Sequence, residues 1–186
     1  MRIYCILYMS YRLLMSGQVA YQRDVYYRDK VLLKSVDNTV FFALVQSGFQ
    51  ERFPQVILAT GKGYPDVNTR ELLAMFSNSL RVSVLVDCDP DGAHIYQCFP
   101  HARWAGLHCS TARIGKWGLN ADQMITYTSR DRGLALRLLR HWISSTALRR
   151  RLAKMLYCGK KAELEAVTQY RNMLLQYVGD ILTDHD

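Results

Sequence analysis

Val84-Leu85-Val86-Asp87-Cys88-Asp89-Pro90-Asp91-Gly92 is an apolar run that ends abruptly in two carboxylates one residue apart. Apolar and β-branched residues followed by Asp-x-Asp-Pro-x-Gly read as a buried strand stopping in a turn, because Pro and Gly break a ladder where the acids begin. Side chains alternate across a strand, so the pattern places Asp87 and Asp89 on one side where the strand ends. Two hard oxygen donors at the carboxyl end of a buried strand suit Mg²⁺, which takes one or two carboxylates and leaves its other positions to water and phosphate. The same residues also suit a plain Asp-Pro-Asp-Gly turn with solvated acids.

On the N-terminal side, Gln55-Val56-Ile57-Leu58-Ala59-Thr60-Gly61 is a second candidate for a buried strand, running into Gly61-Lys62-Gly63. Asn68-Thr69-Arg70-Glu71 has the spacing of a capping box, with Asn68 as N-cap and Glu71 three residues on. Leu72, Leu73, Phe76 and Leu80 follow at helical spacing, an apolar face suited to packing on a sheet. Strand, loop, helix and strand in about thirty residues read as a βαβ unit with parallel strands. Ligands of such sheets bind beyond the carboxyl ends of the strands, so Lys62 is expected near Asp87 and Asp89, a combination suited to handling a phosphoryl group. Gly61-Lys62-Gly63 is not a P-loop, because it lacks that spacing and the Ser or Thr after Lys.

Farther out, residues 22–30 are densely charged around the adjacent Tyr26 and Tyr27. A tyrosine among arginines is usually an amphipathic surface residue. It becomes a nucleophile only if its proton is drawn off and the phosphate it attacks is neutralised by guanidinium groups or metal. Residues 4–15 are apolar enough for a short helix closed by Ser16-Gly17. Beyond the acid turn, Trp104 and Trp117 read as packing residues. Thr128-Ser129-Arg130-Asp131 is a capping candidate that leads into a helix with Leu134, Leu138, Leu139 and Trp142. Leu148, Leu152, Met155 and Leu156 predict another, stopped by Gly159, and the apolar positions from Leu164 to Leu182 predict a last one. Arg149, Arg150, Arg151 and Lys154 form a basic cluster, ordinarily a solvated helix face and in the minority case a phosphate contact.

The chain has 186 residues, enough for one substantial domain or one domain with a small appendage. Half the residues are apolar, which excludes a disordered tail. Lys and Arg outnumber Asp and Glu by 24 to 16, net +8, which points weakly to a polyanion such as nucleic acid. The odd count of 5 cysteines without a CxxC pair suggests reduced thiols, and the dispersed Cys and His residues offer no zinc site. The apolar first fifteen residues are interrupted by Arg12 and lack a clear cleavage site, so a secretory signal is not the expectation. No stretch is long enough to span a bilayer, and the expected protein is soluble, with no membrane association.

Three stretches together resemble the meiotic double-strand-break transesterases, homologous to the A subunit of topoisomerase VI. Residues 57–70, with Gly61-Lys62-Gly63, Pro65-Asp66 and Thr69-Arg70, are similar to that family's strand and glycine-lysine-glycine loop. Val86-Asp87-Cys88-Asp89-Pro90-Asp91-Gly92 resembles the metal motif of its Toprim domain, and the match over residues 49–96 is close and specific. Arg23-Asp24-Val25-Tyr26-Tyr27-Arg28-Asp29 resembles the motif that carries the catalytic tyrosine on a winged-helix module. Arg103-Trp104-Ala105-Gly106-Leu107, the helix start Ser129-Arg130-Asp131-Arg132-Gly133 and Lys160-Lys161-Ala162-Glu163-Leu164-Glu165 resemble the family's C-terminal region.

The resemblance implies an α/β fold: a Toprim-like, Rossmann-type parallel sheet flanked by helices, with a helical C-terminal extension, over residues 41–186. Residues 1–40 would form a truncated winged-helix remnant. It implies Tyr27 as nucleophile, Asp87 and Asp89 as ligands of Mg²⁺, and Arg23, Arg28 and Lys62 as phosphate-binding groups. Double-stranded DNA, a homodimer, an ATPase partner resembling the topoisomerase B subunit, and a place on chromosomes in the nucleus are implied with them. The departures are also specific. The family's third metal carboxylate, a glutamate, has no counterpart, since no Glu occurs between Tyr27 and Glu51. The break falls near Thr39 and Val40, and a shorter gap precedes Trp104. The alternative is therefore a catalytically impaired, shortened member that binds DNA or its partner without cutting. A phosphatase of the haloacid-dehalogenase type also places Asp-x-Asp after a buried strand, but Pro90-Asp91-Gly92 does not follow its usual turn.

Overall fold

The computed structural model describes residues 39–54, 56–58, 60, 63–77, 81–99, 101–108, 123–168 and 171–183. The expected helix over residues 4–15, the tyrosine motif, Lys62, Leu80 and Trp117 lie outside them. Helices α1 (Thr39–Gln46) and α2 (Phe49–Arg52) are joined through Gly48, whose φ of 80° is a left-handed conformation that glycine adopts without a Cβ penalty. They bury Phe41, Leu44 and Phe49.

Helix α3 (Val67–Ser77) starts two residues earlier than its capping-box reading placed it. Asp66, not Asn68, caps it: the Thr69 N–H donates to Asp66 Oδ1 at 2.7 Å. Pro65 disfavours helical backbone at Tyr64, so the helix begins directly after the first residue able to accept from its free amides.

The acid segment follows. Strand β1 (Ser83–Val84) pairs in parallel with β2 (Arg103–Trp104), with α4 (Pro90–Gln97) between them in the chain. Backbone bonds extend the ladder at both ends: Arg103 donates to Val82 at 2.9 Å, Ala105 to Val84 at 2.9 Å and Leu107 to Val86 at 3.2 Å. A βαβ unit is therefore present, but one step later than predicted. Residues 56–58 form no strand, and Ile57 is 53 % exposed while Val56 and Leu58 pack against the core. An apolar run signals burial and not pairing, so its periodicity could not separate a strand from an irregular packed segment. Val84 and Val86 pack with Ile95 and Phe99 beneath α4.

The C-terminal half is mostly helical. Strand β3 (Ile125–Thr126) leads into α5 (Ser129–Arg137), which continues as a π-helical turn over Leu138–Trp142. Thr128 and Asp131 form the predicted capping box. Helix α6 (Thr146–Cys158) ends at Gly159, with φ of 63°, as the sequence indicated. Strand β4 (Lys160–Lys161) pairs antiparallel with β3. The predicted last helix is two: α7 (Glu165–Thr168) and α8 (Arg171–Thr183). Cys98 and Cys158 are free thiols, whereas Cys88 is disulfide-bonded, against the expectation of reduced cysteines throughout.

The result is a mostly helical α/β fold around a small parallel sheet, whose main core joins residues of α1, α2, α5, α6 and α8 to Cys88 and Leu107. No helix among the described residues is long and apolar enough to cross a membrane. Two close approaches hold the ladder to its surroundings. The Tyr177 hydroxyl on α8 donates to the Ala105 carbonyl at 3.0 Å. A Cβ on Gly106 would collide with the Val86 carbonyl and side chain and stand 2.9 Å from the Trp104 ring. Gly106→Ala is therefore expected to lower stability by about 1–3 kcal/mol, the cost of overpacking against backbone, read as a drop in the denaturation midpoint.

Candidate functional site

Asp87 closes the buried strand and is itself 4 % exposed. The next residue, Cys88, makes an antiparallel bridge to Ala162 just beyond β4, with Cys88 N–H to Ala162 O at 2.9 Å and the return bond at 3.3 Å. That bridge aligns residues 162–164 along the acid segment, so the Leu164 N–H donates to Asp87 Oδ1 at 2.8 Å. Burial is the largest influence on this carboxyl and raises its pKa to about 7. The Leu164 amide opposes the rise, and the charges of Asp89 and Glu165 add to it.

Asp89 is the N-cap of α4: its Oδ1 accepts the Gly92 N–H at 2.5 Å, and Pro90 occupies the first helical turn, where no amide partner is needed. Burial raises its pKa too, opposed by the Gly92 amide and by Lys161, with the Asp91 charge adding to the rise. Gly92 permits the tight turn, since a Cβ there would lie 2.5 Å from the Asp87 carbonyl oxygen and 3.1 Å from Asp89 Oδ1.

The helix start is met by two other segments. Arg130 spans the Asp91 carboxylate, with both contacts at 3.4 Å. The Tyr64 hydroxyl donates to Asp91 Oδ1 at 3.2 Å and lies 3.0 Å from His94 Nδ1. Burial, with the Asp91 charge and hydrogen bond adding to it, pushes the Tyr64 phenol up to about 12. Tyr64, directly after Gly63, thus packs against Asp91 and His94 at the start of α4. Lys62, Tyr27, Arg23 and Arg28 lie outside the described residues.

Three residues near the acids carried no role in the sequence reading beyond their place in a motif. Lys161 contacts both oxygens of Asp131 at 3.4 Å, with side-chain exposures of 18 % and 2 %. Asp131 accepts from the Thr128 N–H at 2.8 Å and the Thr128 hydroxyl at 2.7 Å. The Tyr127 hydroxyl is buried and has no hydrogen-bond partner among the described residues. Lys161 lay inside the quoted Lys-Lys-Ala-Glu motif and Asp131 at the right distance from Thr128; Tyr127 gave no signal. The basic cluster of α6 is divided by its packing: Arg149 donates to the Ile143 carbonyl at 3.0 Å, while Arg151 stacks 4.8 Å from the Trp104 ring centroid.

Chemically, the strand end gathers buried or half-buried oxygen donors of like charge whose pKa values are pushed up, chiefly by burial. A hard divalent cation fits that donor set in kind, with water and phosphate completing its shell. Among the described residues no group of three or more acidic, His or Cys side chains forms a metal cluster, so the fit rests on the pair.

A sequence model of the Toprim domain of the topoisomerase 6 A subunit and Spo11 matches residues 36–99. The meiotic recombination protein spo-11 of Caenorhabditis elegans is 41% identical over 75 residues, covering 39% of this chain and 17% of that protein. The mouse (Mus musculus) meiotic recombination protein SPO11 is 31% identical over 159 residues, covering 75% of this chain and 40% of that protein. The human (Homo sapiens) protein of the same name is 30% identical over 158 residues, covering 74% and 39%. The chain spans less than half the length of each.

Asp131 carries a testable pH dependence. Burial acts to raise its pKa, but the Thr128 hydrogen bonds and the Lys161 charge outweigh it and hold the carboxyl below its ordinary range. A depressed folded-state pKa contributes stability that is complete above the unfolded value of about 3.9 and is lost as pH falls through the folded value. Denaturant titrations across pH 7 to 2 are expected to find Asp131→Ala about 1 kcal/mol less stable than the parent at neutral pH, with the gap closing at the acid end.

Proposed function

The chain belongs to the family that unites Spo11 with the A subunit of topoisomerase 6, and on that premise we propose that it is a DNA-cleaving transesterase that makes double-strand breaks in meiotic recombination. The observation that carries the proposal is the acid pair at the end of a parallel strand, Asp87 buried and Asp89 half-buried, within the stretch matched to the Toprim domain. Residues 41–186 are the Toprim domain with its helical extension, and residues 1–40 the remnant of a winged helix that carries Tyr27. The Tyr27 oxygen bonds to the phosphorus of a backbone phosphodiester as the bond to the 3′ oxygen breaks. The leaving oxygen takes up a proton, giving a 3′ hydroxyl and a 5′-phosphotyrosyl link without consuming water.

Arg23 and Arg28 hold the phosphate beside the tyrosine with planar guanidinium groups, and Lys62 adds a point charge from the glycine-rich loop. Asp87 and Asp89 hold Mg²⁺, which when bound supplies charge neutralisation and a template for the phosphate. The family pattern, in which the tyrosine of one protomer works with the acid pair of another, implies a homodimer on double-stranded DNA. An ATPase partner resembling the topoisomerase B subunit, and a location on chromosomes in the nucleus, complete the reading.

A second reading has its own support. No Glu stands between Tyr27 and Glu51, and two carboxylates hold Mg²⁺ more loosely than three. On that reading the chain is a shortened, catalytically impaired member that binds DNA or its partner without cutting. Incubation with duplex DNA and Mg²⁺ separates them. Covalent protein–DNA adducts that disappear in Tyr27→Phe and fall about 100-fold or more in Asp87→Asn are the expected result for the enzyme. Duplex binding with no adduct in the parent protein selects the non-cleaving reading.

A further inference from the structure

Trp142 stands at helical spacing from Leu138 and Leu139, a pattern that predicts a buried ring, yet it is 58 % exposed. The backbone supplies the reason. The Ile143 N–H donates to the Leu138 carbonyl at 3.1 Å, five residues back. This π-helical turn adds a residue to the repeat and swings Trp142 off the apolar face on which Leu138 stays buried. Such turns are frequent at functional sites, and here the turn holds a large aromatic ring in solvent.

That ring is one end of a chain of aromatic contacts that leads to the acid turn. His94 on α4 meets Trp142 edge to face with centroids 5.1 Å apart, and Tyr64 meets His94 in the same manner at 5.2 Å. Tyr64 is 50 % exposed, and its hydroxyl bonds Asp91, two residues beyond Asp89. The Gln97 side chain donates to the Trp142 carbonyl and ties the π turn to α4. One residue on, the Ile143 carbonyl accepts from Arg149 at 3.0 Å, which brings an exposed guanidinium from α6 alongside. That bond uses one donor of a group that has five. The charge around the ring is of one sign. Between Asp131 and Glu163 the chain has no acidic residue, while Arg137, Arg140, Arg149, Arg150 and Lys154 are all exposed. The excess of cations is therefore concentrated on α5, the π turn and α6, the elements that carry Trp142.

We propose that Trp142 is a stacking platform for an unpaired DNA base, with His94 and Tyr64 bracing the ring and Arg149 holding the adjoining phosphate. Aromatic rings set among cations fit single-stranded nucleic acid, whose bases stack on π faces while its phosphates pair with arginine. Bases within a duplex are already stacked on one another, so only an unpaired base has a face to offer this ring. The inference rests on the DNA-cleaving reading above and deepens it by naming single-stranded DNA as the form that this face takes.

Trp142→Leu keeps apolar bulk and removes the π face, whereas Trp142→Phe keeps a ring. Binding of three fluorescein-labelled probes is measured by anisotropy over a series of salt concentrations: an oligothymidylate, the same strand with abasic sites, and a duplex. Trp142→Leu is expected to bind the oligothymidylate about tenfold more weakly than the parent, and Trp142→Phe to stay within about threefold of it. The abasic strand keeps its phosphates and lacks the rings, so it is expected to bind the parent and Trp142→Leu equally. Arg149→Gln is expected to lower the magnitude of the single-strand salt slope by about one phosphate contact, and Arg149→Lys to restore it. A Trp142→Leu protein that binds the oligothymidylate as the parent does leaves the exposed rings to a protein partner and overturns the proposal. So does a loss that is equal on the oligothymidylate and the abasic strand, which marks a disturbed fold and not lost stacking. A parent that binds the duplex and neither single strand overturns it as well. A parent that binds none of the three probes instead removes the functional reading on which the platform depends.

Discussion

The bridge between Cys88 and Ala162, with the Leu164 amide on Asp87 beside it, is the interaction on which the site depends. A carboxyl that is 4 % exposed is costly unless it is paired or hydrogen-bonded. Here the Leu164 amide covers one of its oxygens and holds the group in place. That bond offsets only part of the cost of burying the charge, and the pKa near 7 expresses the difference. The same bridge brings the Lys161 strand alongside Asp89, and through β3 it brings Tyr127 and the Thr128–Asp131 cap. Removing that pairing would separate the acids from the donor groups that β3 and β4 contribute.

Helix α4 exerts the second constraint. Its first turn starts on Asp89, and the amide end of a helix favours negative charge, so the cap that begins the helix also steadies the acid. Gly92 and Gly106 serve this arrangement from opposite directions. Gly92 lets the helix start close over the Asp87 carbonyl, and Gly106 lets the neighbouring strand lie against Val86. With the Tyr177 hydroxyl anchoring the Ala105 carbonyl from α8, the strand end is held by α4, by the neighbouring strand and by this side chain. A site that must present charged groups at fixed spacing is better built on such elements than on free loops.

Local chemistry was the most legible part of the chain. The Thr128 and Asp131 spacing and the Gly159 stop each follow from bonds made within a few residues, and each took the form that its pattern predicts. The Asp-x-Asp-Pro segment, which reads as a turn, instead starts helix α4 with Asp89 as its cap. Where two local signals compete, the boundary shifts by two residues, as with Asp66 capping α3 in place of Asn68. The irregular course of residues 56–58 was not legible, because pairing is settled by what lies alongside and not by apolar content. The candidate site divides in the same way. Asp87 and Asp89 stand out through their spacing, whereas Tyr127 is an ordinary aromatic until its buried hydroxyl is found without a partner among the described residues.

What the sequence determined by itself was the acid pair at a strand end, the Thr128–Asp131 cap, the Gly159 stop and the family likeness, all of which reside in short contiguous stretches. Tertiary structure alone decided that residues 159–164 run beside the acids. That placement turns a surface-like Lys-Lys motif into part of the site and gives Asp87 its amide. The physical reason is that pairing between distant segments depends on backbone hydrogen bonds, which every residue but proline can donate, so no side-chain pattern announces which segment will supply them.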